Sequence, residues 1–290
     1  MSWFARREKL KLHQFRNRTV IEGLFTVIAT DKGNLRTNNE DAALISYASG
    51  NLSKNKGCLL ALADGMGGHN GGEVASELAL SSFTNAYFNH RGTTQQSLQL
   101  ALKKSNQEVF YKSLSDPEWA GMGTTLTAVA IIGSDLYMAH VGDSRAYLIN
   151  SDNCLRLSKD QTLVQQLVDL GQISAAQAES RPDRNVLLSA LGTKAVVTGE
   201  VRQLKNNWTD EDTLLICSDG LYDLVNDHEI FKIVHSYTDI EIAAHVLINE
   251  AKKRGGHDNI TVLLATRRQQ EIPDLKDTRD LEIPLSIEKK

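Results

Sequence analysis

The sequence predicts an α+β fold in which antiparallel sheets are flanked by helices. The order of elements carries most of this: strands, two helices, many strands, two more helices and a final strand, where a parallel α/β sheet would alternate the two types. Several strand candidates are continuous apolar runs, such as Leu-Ala-Leu-Ala at 60–63, as expected for buried strands. With four prolines in 290 residues and no Pro/Gly/Ser-rich linker, one domain is favoured over two.

Strands are expected at 25–30, 42–47, 58–63, 124–132, 136–141, 146–149, 196–204, 213–217 and 260–266, rich in β-branched residues and ending at Gly, Asp or Asn. Two early helices are read at 73–89, after a glycine-rich loop, and at 97–113, where Leu98, Ala101, Leu102, Ser105 and Val109 share a face. A shorter helix is read at 227–235. Thr238 and Glu241 have the side chains of a capping box, followed by Ile242, Ala243, Val246, Leu247 and Ala251 at helical spacing. Residues 158–194 stand apart as a polar insert between strands. It contains helical stretches at 161–170, stopped by Gly171, and at 174–179, and reads either as a lid or as an ordinary surface excursion.

Hydrophobic residues make up 41% and charged residues 23% of the chain, an ordinary balance for a soluble globular protein. A net charge of -4 offers no general attraction to nucleic acid. No apolar stretch approaches the roughly 18 to 20 residues needed to cross a bilayer. Residues 1–22 read as a basic extension; Arg6, Arg7, Lys9 and Lys11 lack the apolar core of a secretory signal. With Trp3, Phe4, Leu10, Leu12 and Phe15 interleaved, it reads as a dock for an acidic partner or membrane surface, or as a solvated extension. Cys58, Cys154 and Cys217 lie far apart without metal-ligand spacing, as expected of reduced thiols in a cytoplasmic protein.

The chemistry is carried by acids. They stand at Asn39-Glu40-Asp41, Asp64-Gly65, Gly142-Asp143-Ser144-Arg145 and Ser218-Asp219-Gly220, and in Gly255-Gly256-His257-Asp258-Asn259 before the last strand. Asp64 is expected where its apolar strand ends, with the Gly65 carbonyl beside it. Carboxylates gathered without matching Lys or Arg repel one another unless a cation is present, and oxygen-only ligands select magnesium, manganese or calcium over zinc. Any one Asp-Gly step is by itself a turn signal; the repetition carries the weight. No calcium-loop, phosphate-loop or Gly-x-Ser-x-Gly pattern is present. Arg36, four residues before Glu40, reads as a phosphate ligand or as a structural salt bridge.

Taken in order, these motifs resemble those of the metal-dependent protein phosphatase 2C family in its bacterial form. The resemblance rests on Arg36-Thr37-Asn38-Asn39-Glu40-Asp41, Ala63-Asp64-Gly65-Met66-Gly67-Gly68-His69, Gly123-Thr124-Thr125, His140-Val141-Gly142-Asp143-Ser144-Arg145, Cys217-Ser218-Asp219-Gly220 and Asp258-Asn259-Ile260-Thr261-Val262. It implies a four-layer α-β-β-α sandwich over residues 23–267, with 158–194 as the variable flap and 268–290 as a C-terminal tail. It further implies a serine/threonine protein phosphatase using two or three divalent cations, manganese or magnesium, to present a hydroxide to phosphorus. By this resemblance Asp64 bridges two metals, the Gly65 carbonyl ligates one, and Asp219 and Asp258 hold the other. Glu40 and Asp41 anchor metal-bound water, and Asp143 with Asp219 matches a third-metal site. Arg36 binds the substrate phosphate and Asn259 supports the site beside Asp258.

Where one branch of the family has a histidine as proton donor this chain has Met66, which leaves His69 or a water for that role. The implied partners are phosphorylated proteins and a cognate Ser/Thr kinase. The rival readings are a phosphatase dedicated to one regulatory phosphoprotein and a non-catalytic phosphoprotein-binding module on the same fold.

Overall fold

A computed structural model of the chain describes residues 17–21, 23–48, 56–67, 71–205 and 208–268, with side chains from residue 23 onward. His69, residues 1–16 of the basic extension and the tail from 269 lie outside the described residues.

Two antiparallel sheets form the centre. The first has the order β1-β2-β12-β11-β8-β9, built from β1 (Asn17–Ile21), β2 (Leu24–Asp31), β8 (Arg145–Ile149), β9 (Cys154–Arg156), β11 (Thr213–Cys217) and β12 (Ile260–Thr266). The second runs β10-β7-β6-β4-β3, from β3 (Asp41–Tyr47), β4 (Cys58–Met66), β6 (Leu126–Ile132), β7 (Asp135–Val141) and β10 (Glu200–Gln203). A two-residue strand, β5 (Gly123–Thr124), pairs with the end of β4.

Strand periodicity explains the layers. In β4, Leu59, Ala61 and Ala63 face a cluster with helices α1 (Gly71–Asn89) and α2 (Thr94–Ser115), whereas Cys58, Leu60 and Leu62 pack between the sheets. A strand apolar on both faces belongs between two apolar layers, which is why its sequence shows no alternation. Leu59, Leu60 and Leu62 are wholly buried, each contributing about 1.5–3 kcal/mol. The first sheet repeats the arrangement: Val262 and Leu264 of β12 face α6 (Asp227–Ser236) and α7 (Ile240–Lys253), while Leu263 and Ala265 face the other sheet. The result is the four-layer α-β-β-α sandwich.

Some local expectations are corrected. The cap of α7 is Asp239, whose side chain accepts from the Glu241 N–H, one residue later than the expected Thr238. β10 covers only 200–203 of the expected 196–204. Its register sets Glu200 opposite His140, so earlier residues would face the chain where it leaves β7 at Gly142 (φ +102°) and find no partner. Residues 17–21, assigned to the extension, form an edge strand on β2. The insert holds α3 (Leu163–Asp169), capped by Thr162 and ending before Gly171 (φ +66°), and α4 (Ala175–Glu179) with a Ser174/Gln177 capping box.

Candidate active site

Strand register gathers the acids at one end of the sandwich. Cys217 pairs with Arg145 of β8 and Val262 of β12, so Asp219, Asp143 and Asp258, each just outside its strand, leave the first sheet together. In the second sheet Asp41 pairs directly with Asp64. β4 does not stop at Asp64, as its sequence implied, but continues to Met66 because Gly65 and Met66 pair with Thr124 and Gly123. Asp64 is pinned by its main chain: its N–H donates to Thr125 Oγ1 (3.0 Å) and its carbonyl accepts from Thr124 Oγ1 (2.8 Å). Thr125 Oγ1 also meets Ser144 Oγ at 2.6 Å, tying the Asp143 loop to the same point.

Asp41 joins the two sheets. Its Oδ2 accepts hydrogen bonds from Ser218 Oγ (2.8 Å) and Thr261 Oγ1 (2.6 Å), while Oδ1 is buried with no hydrogen-bond partner among the described residues. Burial pushes its carboxyl up to about 6 against the pull of those two hydroxyls. Asp64 and Asp219 are raised further, through burial first and then through the carboxylates around them: Asp41, Asp219, Asp143 and Asp258 around Asp64, and Asp143, Asp258, Asp223 and Asp41 around Asp219. Asp143, buried, is pushed up to about 7 by desolvation and then by Asp160.

Asp160 and Asp223 were missed from sequence, as were the hydroxyls of Ser218 and Thr261. Asp223 had a signal, since it lies four residues after Asp219 across the short helix α5 (Asp219–Tyr222) and shares its face. Arg184 of the insert holds Asp223 at 2.8 Å, and Arg145 forks onto Asp160, its Nη2 at 2.7 Å.

Arg36 bonds Asp258 Oδ2 through Nη2 at 2.8 Å and keeps a half-exposed side chain. Burial alone would weaken it as a cation; Asp258, Glu40 and Asp219 hold it charged. Asn259 clamps the loop that carries it: Oδ1 accepts the Glu40 N–H (2.8 Å), and Nδ2 donates to the carbonyls of Lys32 (3.0 Å) and Asn38 (2.9 Å). Met66 packs its methyl toward Gly123 and offers no proton.

The Glu40 carboxylate rests on the N-terminus of α1, accepting the Gly72 N–H, where the helix dipole favours a negative charge. This gives two glycines a specific reason. A Cβ at Gly72 would meet Glu40 Cδ at 2.6 Å, and one at Gly65 would meet the Gly72 carbonyl oxygen at 2.1 Å. The Glu40 side chain can swing away whereas the backbone cannot. Gly65→Ala is therefore expected to cost about 3 kcal/mol or more and Gly72→Ala about 1 kcal/mol, read from urea midpoints. The reverse order would contradict these contacts.

The sequence model of the family Protein phosphatase 2C matches residues 26–166 and 183–260, most of the sandwich just described. The chain belongs to that family. It is thus an enzyme of the phosphoprotein phosphatase class. Among relatives of this protein phosphatase 2C, the serine/threonine phosphatase stp of Listeria innocua is 38% identical over 246 residues, 82% of this chain and 94% of the relative. The S. agalactiae serine/threonine phosphatase superposes with a TM-score of 0.76 at 30% identity, covering 84% of this chain and 99% of that one. The catalytic domain of serine/threonine protein phosphatase PstP, solved in complex with two manganese ions, superposes with a TM-score of 0.69 at 36% identity, covering 84% of this chain and 97% of that one. Among the described residues no helix is long and apolar enough to cross a membrane.

The donor set fits hard divalent cations. All its candidates are oxygens, Asp41 Oδ1 is buried without a partner, and the carboxylates raise one another for want of positive charge between them. As they stand, no three Asp, Glu, His or Cys side chains among the described residues form a ready coordination shell. Arg36 lies on one oxygen of Asp258, and two hydroxyls take Oδ2 of Asp41.

Proposed function

We propose that this chain removes phosphate from phosphoserine and phosphothreonine of proteins, using divalent cations held by Asp64, the Gly65 carbonyl, Asp219 and Asp258, with Asp143 at a further cation and Glu40 and Asp41 orienting water beside them. The observation that carries this reading is the mutually destabilised carboxylate cluster around Asp64, with one arginine at its edge. When bound, the cations activate water as the nucleophile and draw charge from the phosphoryl oxygens. Arg36 supplies a planar fork for two phosphoryl oxygens, giving up Asp258 as the substrate enters. Asn259 keeps that fork in register with Asp258 through its bonds to both flanks of the loop, the carbonyls of Lys32 and Asn38.

The substrates imply a Ser/Thr kinase as the source of the phosphate ester. Cys58, Cys154 and Cys217 are all free thiols, which supports work in a reducing, cytoplasmic setting.

The test is phosphate release from a phosphothreonine peptide by the full chain with manganese, repeated in excess chelator. Turnover is expected to fall about 100-fold or more in chelator. An undiminished rate would sink the metal-dependent reading, and no release with manganese would sink the catalytic one.

A further inference from the structure

The loop from Asp31 to Arg36 runs along the segment that carries Asp258 and is joined to it in steps. Asp31 pairs with Lys252 Nζ at 2.8 Å and accepts the Gly33 N–H at 2.9 Å. Gly33 (φ +77°) lies so close that a Cβ there would meet the Asp258 carbonyl oxygen at 2.2 Å. Asn34 then makes three bonds to the end of α7 and the turn after it. Its N–H donates to the Gly256 carbonyl (2.6 Å), and its Nδ2 donates to those of Lys252 (2.8 Å) and Gly255 (2.9 Å).

Two residues on from Asn34 is Arg36, and two on from Gly256 is Asp258. The Asn34–Gly256 bond and the Arg36–Asp258 ion pair are thus successive rungs between the same two segments. Among the described residues, no other hydrogen bond or ion pair holds 34–37 to the rest of the chain, and Leu35 between them is 73% exposed. A helix C-terminus has unsatisfied carbonyls; here a side chain from the substrate loop satisfies two in that region.

We propose that Asn34 is a positioning residue for phosphate binding. Its amide sets where the Arg36 guanidinium stands relative to Asp258, and so how well a phosphoryl group is received. The inference rests on Arg36 binding the substrate phosphate. Without the amide, the backbone bond to Gly256 remains but the loop can twist about it, and the arginine samples positions outside the site. The loss falls on binding, because Asn34 touches neither the carboxylate cluster nor the nucleophile.

Steady-state hydrolysis of p-nitrophenyl phosphate by the full chain in saturating manganese tests this, with inorganic phosphate as competitor. Asn34→Ala is expected to raise KM and the phosphate inhibition constant about three- to tenfold while kcat stays within about twofold. Arg36→Ala is expected to raise both about 10- to 100-fold, and adding Asn34→Ala to it should change nothing more. A partly unfolded variant would lower apparent kcat at unchanged KM, and that result would overturn the proposal. So would an Asn34→Ala effect that persists in the Arg36→Ala background. If Arg36→Ala raises KM and Asn34→Ala does not, the positioning role alone fails. If Arg36→Ala has no effect, the assignment of Arg36 to the phosphate fails with it.

Discussion

Replacing Asp64 with asparagine is expected to stabilise the metal-free protein and abolish its turnover. The two effects have one cause. Burial and four neighbouring carboxylates hold the Asp64 carboxyl well above the usual range. At neutral pH it either carries a charge its neighbours repel or keeps a proton that the unfolded chain would release, and each costs folding free energy. Asparagine keeps the shape and removes the ionisable group. Thermal unfolding in chelator should shift upward by about 3–10 °C, against a turnover loss of about a thousandfold or more in manganese. Opposite signs of this kind mark a residue kept for chemistry at the expense of stability. A less stable, inactive variant would make Asp64 a structural residue, and a near-normal rate would remove it from the reaction.

The layered fold was legible because strands buried on both faces stand out as near-continuous apolar runs. Residues 58–63 and 260–266 show it, and both became central strands. What escaped were elements created by a partner. The strand expected at 124–132 is split at Thr125: Thr124 joins Gly123 in the two-residue β5, which exists because Gly65 and Met66 extend β4 toward it. β1 lies in a segment whose basic composition masked its pairing with β2.

The acids of the site could be read from their repetition at strand ends, whereas their supports could not. Ser218 and Thr261 reach Asp41 from the opposite sheet, and that contact depends on how the sheets stack. The need for Gly65 and Gly72 also depends on packing that the sequence does not show, since they make room for the protein itself, for a carbonyl and for Glu40.

In chelator, the protein is expected to lose stability as pH rises from about 5 to 8, opposite to a protein held by surface ion pairs. Asp41 is pushed up to about 6 and Asp143 to about 7, from an ordinary value of 3.8. A raised carboxyl binds its proton more tightly when folded, so its stabilising contribution is complete below pH 3.8 and vanishes as pH passes the folded value. For Asp41 alone the shift corresponds to about 3 kcal/mol, or about 5–10 °C in Tm. Asp64 and Asp219, raised further, extend the decline above neutral pH. Glu229 works in the other sense, held below its usual range by hydrogen bonds from Arg254, so its contribution is lost only toward more acid pH. Divalent cations replace protons as the neutralising charge. The Tm gap between manganese-loaded and chelated protein should therefore widen as pH rises and close near pH 4. Scanning both forms by calorimetry across that range decides it: a chelated Tm that is flat or rising between about pH 5 and 8, or a gap independent of pH, would mean that the cluster is not the source of the strain.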